Sequence, residues 1–142
     1  MEYLRNVLIG FMLFIPTSFA QTPATSTDRL QFGGQYSGRA QEQGGGPRST
    51  DMAVTLGKPA DDGRFTGSVQ AFRAGPDCGR PLPVSGEILP DGSVRMEIKS
   101  GSGVPAGCER TYDLKLTAGG RLSGTAAFGG YKFDVELKRT GD

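Results

Sequence analysis

Val84-Ser-Gly-Glu-Ile-Leu-Pro-Asp-Gly-Ser-Val-Arg-Met-Glu-Ile-Lys99 is the stretch that decides the architecture. Its second half alternates strictly, with Val94, Met96 and Ile98 on one face and Arg95, Glu97 and Lys99 on the other. A period of two describes a strand with one buried face, and Asp91-Gly92 between two such runs is a strong hairpin signal. The only two cysteines, Cys78 and Cys108, bracket this hairpin.

Working outward, the same alternation recurs between turn signals, and helical spacing appears nowhere after the first twenty residues. Strands are expected near 34–40, 51–57, 64–73, 82–89, 93–99, 109–117, 121–128 and 131–138. The inward set begins with Tyr36, Met52, Val54, Leu56, Phe65, Val69 and Ala71, and continues through Val84, Ile88, Val94, Met96 and Ile98. Tyr112, Leu114, Leu116, Leu122, Ala126, Phe128, Tyr131, Phe133, Val135 and Leu137 complete it. Outward positions are polar, most plainly Lys132, Asp134, Glu136 and Lys138. One apolar face per strand implies antiparallel sheet around a single interior. The fold class is therefore all-β, an eight-stranded antiparallel meander closing into a small barrel, with a β-sandwich as the alternative that the same alternation permits.

Residues 1–20 stand apart. Arg5 and the amino terminus supply positive charge, Val7 to Ile15 are apolar, Pro16 breaks the run, and Ser18-Phe19-Ala20 is a small-x-small site. That order describes a secretory signal peptide cleaved after Ala20. The apolar run falls short of the roughly 20 residues that span a bilayer. No cysteine follows the site, so no lipid anchor is expected. Residues 21–30 form a polar, flexible lead-in, and 31–142 a single domain. The expected localisation is exported, periplasmic or extracellular.

A meander sends alternate connections to opposite ends. Three compact turns (58–63, 90–92 and 118–120) fall at one end. The longer connections 41–50, 74–81 and 100–108, with Gly129-Gly130, fall at the other. Cys78 and Cys108 both lie at this second end, where an oxidising compartment favours a disulfide. Loops on a rigid scaffold are the usual place for recognition. The candidate binding residues on this rim are Arg48, Arg73, Asp77, Arg80, Ser102 and Arg110, with Glu109 beside them.

The composition narrows the chemistry. The chain has 16 basic and 15 acidic residues, and losing Arg5 and Glu2 with the leader keeps the net charge at +1. A nucleic-acid binder needs a concentrated basic face that this balance does not offer. The chain contains no histidine, which removes Ser-His and Cys-His mechanisms and histidine metal sites. Glu87, Glu97 and Glu136 are expected on outward faces, and Asp61-Asp62 in a turn, so no acid–base pair suggests itself. Gly101 to Gly107 contains Pro105 and leads into a strand, unlike a dinucleotide loop. Gly44-Gly45-Gly46-Pro47-Arg48-Ser49 lacks the Gly-Lys-Ser/Thr ending of a phosphate loop. No catalytic residue, metal site or cofactor is expected.

Eight short antiparallel strands, with Gly34-Gln35-Tyr36 opening the first, resemble a calycin-type barrel of the lipocalin and avidin kind. Such families commonly carry Gly-x-Trp at that place. Tyrosine replaces the tryptophan here, and the aromatic biotin cage of avidins has no counterpart, so neither ligand class transfers. Similar small periplasmic barrels inhibit lysozyme through loop residues, and Ser100-Gly101-Ser102-Gly103 resembles their Ser-Gly loop. The function expected is a non-enzymatic exported binding domain that recognises a protein, a glycan or a small apolar molecule through the disulfide-bearing rim. A lysozyme-inhibitor-like periplasmic protein and a small outer-membrane β-barrel are the alternatives.

Overall fold

The computed structural model describes residues 32–101 and 103–141; the expected signal peptide and lead-in lie outside them. The strands are β1 (Gly34–Glu42), β2 (Ser49–Leu56), β3 (Arg64–Ala71), β4 (Leu82–Ile88), β5 (Ser93–Ile98), β6 (Arg110–Thr117), β7 (Arg121–Phe128) and β8 (Tyr131–Gly141). Each pairs antiparallel with the next, and β8 returns to β1, so the wall closes into a barrel. The sandwich alternative is thereby set aside. An eight-stranded antiparallel meander barrel is compatible with the calycin-type architecture.

The Val84–Lys99 hairpin forms as expected, with Ile88 opposite Val94 and Gly86 opposite Met96. Gly92 takes a φ of 87°, the left-handed value such a turn demands, and the Asp91 carboxylate accepts the Ser93 amide at 2.9 Å. That hydrogen bond holds the Asp91 carboxyl below its usual pKa. Closing so few strands requires sharp bending where side chains must be absent. A β-carbon at Gly124 would run into the Asp113 carbonyl oxygen across the ladder.

The inward set is buried almost as expected. Two aromatic residues depart from it, Phe128 being half-buried and Tyr131 exposed. Both sit at the tip of the β7–β8 hairpin, above the last packed layer. Two short helical turns add to the expected strands: Gln43–Gly45 forms a 3-10 turn and Gly75–Cys78 a single α-turn. Each is too short for helical periodicity to register.

The two ends of the barrel differ. At the end bearing the compact turns, Phe32 is fully buried beneath the wall, with its ring 4.8 Å from Phe65 and 6.4 Å from Tyr36. The Tyr36 hydroxyl donates to the Phe32 carbonyl at 2.6 Å, and Arg139 Nη2 donates to the Gly33 carbonyl at 2.6 Å. The segment before β1 is thus stitched across this end as a plug. The outer wall is charged, with cross-strand pairs such as Arg39–Asp51 at 3.8 Å and Arg95–Asp113 at 3.7 Å. Exposed pairs of this kind contribute about 0–1 kcal/mol each, so they solvate the wall more than they stabilise it.

At the opposite end, Cys78 and Cys108 are joined, with Cα atoms 5.3 Å apart, and tie the β3–β4 connection to the β5–β6 connection. The bridge closes a loop of 30 residues in sequence. Replacing both cysteines by serine is expected to lower the unfolding free energy by about 3–4 kcal/mol, read from urea denaturation.

Burial pushes the Tyr36 phenol up to about 12, against a smaller opposing pull from Arg139. The folded state holds this proton more tightly than the unfolded chain, whose tyrosines ionise near 10. Its contribution to stability is therefore complete below about pH 10 and lost as pH rises from about 10 to 12. Urea denaturation across that range should show the fall. Tyr36→Phe should make it shallower, leaving the part due to Tyr112, which burial also raises.

Candidate functional site

The solid packing stops short of the disulfide-bearing end. Three inward positions in the upper part of the wall are alanine: Ala40 on β1, Ala71 on β3 and Ala126 on β7. Lower positions on the same strands hold Tyr36, Phe65 and Leu122. Missing side-chain volume at three places leaves a cavity of about 470 Å³ that opens through the rim. Met52, Tyr112 and Phe133 complete its floor, while Pro47, Phe128 and Tyr131 form part of its mouth. The size lies within the ordinary range for small-molecule sites, roughly 300–1,000 Å³, and such sites are mostly apolar with a few placed polar groups.

Three of the rim residues expected from sequence gather at this mouth: Arg48, Arg73 and Arg110. Arg48 lies 3.9 Å from the centre of the Tyr131 ring, donates to the Tyr131 hydroxyl at 3.0 Å, and pairs with Glu42 at 3.4 Å. This is a cation–π contact reinforced by a hydrogen bond, and it fixes an otherwise exposed aromatic side chain beside the opening. Arg73 is exposed, and its backbone amide donates to Thr50 Oγ1 at 2.9 Å, which seats the start of the β3–β4 connection on β2.

Arg110 differs from both. It is only 5% exposed, the one charged residue in the buried set of the described residues. The cause is local: β6 presents Arg110, Tyr112, Leu114 and Leu116 inward, so the guanidinium enters the wall's apolar face at its top layer. Its Nη2 donates to the Cys78 carbonyl at 2.8 Å, and its plane lies 4.6 Å from the centre of the Phe128 ring. Its Nε is buried with no hydrogen-bond acceptor among the described residues. Two positions along, burial holds the Tyr112 phenol above its usual pKa, against a smaller pull from Arg110. Tyr112 is accordingly a neutral hydroxyl at physiological pH. No aspartate or glutamate lines the cavity.

The remaining rim residues stand elsewhere. Asp77 lies in the Gly75–Cys78 turn and Arg80 just beyond it; both are exposed and neither lines the cavity. Glu109 is exposed as well. Ser102 lies outside the described residues. The Gly101–Val104 bridge flanks that position and buries Val104 against the core. Ala40, Pro47, Ser49, Thr50 and Ala74 line the cavity without having been assigned to the inward set or the candidate rim residues. Ala40 continues the alternation of β1 two places beyond Gly38, and that phase was the signal available.

A larger, more open hollow of about 1,070 Å³ runs over the outer surface of β3 to β6. Its lining includes Arg64, Glu87, Arg95, Glu97 and Asp113, charges that largely neutralise one another, as in the Arg95–Asp113 pair. Phe65, Met96 and Tyr112 reach its base, but most of its lining is polar or charged side chains of the outer wall, and we take the rim cavity as the site. Among the described residues, no group of three or more histidine, cysteine, aspartate or glutamate side chains could hold a metal, and no helix is long and apolar enough to cross a membrane. No protein-family model matches the chain, and no curated protein matches it.

Proposed function

We propose that this chain is an exported, non-enzymatic binding domain that takes a small, largely apolar molecule into the cavity at its disulfide-bearing rim. One observation carries the reading. The barrel is solid at the plugged end and hollow at the other, and the hollow is floored by Ala40, Met52, Ala126 and Phe133. A core without a ligand to accommodate gains by filling such a space, because residual cavity volume destabilises. The disulfide and the leader-like first twenty residues support export. The lipid-facing alternative requires an apolar exterior, and the apolar faces here turn inward while the outer wall carries ion pairs.

A second reading, a macromolecular partner seated across the same rim in the manner of the lysozyme-inhibiting barrels, draws on a separate observation. Phe72, immediately after β3, is the most exposed large apolar side chain described, at 55%, and it adjoins Arg73. Aromatic and arginine side chains together are typical anchors of protein interfaces.

Titration of the oxidised domain with an apolar fluorescent dye distinguishes the two. The cavity reading expects saturable binding at one site, weakened at least tenfold by Ala126→Phe, with the far-ultraviolet circular dichroism spectrum unchanged. Non-saturable fluorescence in the unsubstituted protein would overturn it and leave the rim surface as the recognition element.

A further inference from the structure

We infer that the molecule held in the rim cavity is an amphiphile with a carboxylate head, and that Arg110 receives that head while the apolar body occupies the alanine-floored hollow. The inference rests on the binding reading above and specifies its ligand. Arg110 is 95% buried, yet its Nε–H meets no acceptor among the described residues. A buried donor left without an acceptor is costly, and a buried guanidinium more so, since its charge also lacks a counter-ion. The Cys78 carbonyl accepts from Nη2 and the guanidinium also interacts with the Tyr112 hydroxyl, but neither partner brings a negative charge. No carboxylate side chain lines the cavity that Arg110 borders, so the balancing anion is not supplied by the lining.

The surrounding groups favour one kind of head. The guanidinium is a planar fork that suits the paired oxygens of a carboxylate or a phosphate, but one buried cation balances the single charge of a carboxylate and not the nearly double charge of a phosphate monoester. The neutral Tyr112 hydroxyl lines the same cavity and adds a donor. Arg73 at the mouth adds positive charge to the approach, while Arg48 beside it is paired with Glu42. Below these groups the lining is Ala40, Met52, Ala126 and Phe133, which supplies no partner for a polar or sugar-like body.

The test displaces the bound dye from the oxidised full domain with decanoate, decanol, decyl phosphate and decyltrimethylammonium, four probes with one chain and different heads. Decanoate is expected to compete roughly 10- to 100-fold more strongly than decanol, the range of one buried charge-assisted hydrogen bond. Decyl phosphate should fall behind decanoate, and the cationic probe should bind worst. Arg110→Met keeps an unbranched side chain at this position without the charge and should erase the advantage of decanoate over decanol. Equal competition by decanoate and decanol in the unsubstituted protein overturns the anionic head and leaves the apolar cavity standing. A preference for decyl phosphate overturns the carboxylate assignment. An advantage for decanoate that survives in Arg110→Met overturns the role of that arginine. Failure of the dye and all four probes to bind removes the cavity reading itself, and this inference with it.

Discussion

The pairing of β8 back onto β1 is the constraint on which the rest depends. It joins Tyr36 to Arg139 and Ala40 to Val135 across the seam and turns a meander into a wall of fixed circumference. An eight-stranded barrel is just wide enough for side chains to fill. Within such a width, volume at the inward positions decides where the molecule is solid and where it is hollow. Phe32, Phe65 and Leu122 make one end a packed core; Ala40, Ala71 and Ala126 leave the other open. The disulfide then acts on the open end, adding a covalent tie between two connections that are otherwise held by backbone hydrogen bonds and by side chains such as Arg110 and Gln70.

Arg110 connects this packing to the cavity. Its guanidinium is anchored to the Cys78 carbonyl, so the residue that borders the cavity is held by the same connection the disulfide fastens. Its stacking on Phe128 uses the half-buried aromatic ring at the β7–β8 tip as a side wall. The backbone placement of a sulfur bridge, a cation and an aromatic ring thus converges on one edge of the opening.

Much of this architecture was legible in the residues. The alternation in β5 and β8 and the Asp91-Gly92 turn specify strands and direction, and counting connections places both cysteines at one end. Phe32 was not legible, because two apolar residues, Leu30 and Phe32, between a polar lead-in and Gly33-Gly34 are too few to define a period. The Gly75–Cys78 turn escaped for a similar reason, since four residues containing Pro76 show no helical face. The cavity arises from alanines on three strands far apart in sequence, and an absence of volume becomes visible only when register brings those strands together. Arg110 was recognised as a rim residue but not as a buried one. Its phase with Tyr112, Leu114 and Leu116 was the clue, a charge standing where the pattern calls for an apolar side chain.

Closure also settles how this wall behaves toward its own kind. An open sheet ends in a row of unpaired amides and carbonyls that invites a neighbouring chain to add a strand, the route by which many β-proteins assemble into fibres. Here the first and last strands spend those groups on each other along Gln35–Glu42 and Phe133–Gly141. Two such molecules meeting at high concentration find no open ladder along the described wall, and self-association through backbone pairing of its strands is designed out by the topology itself.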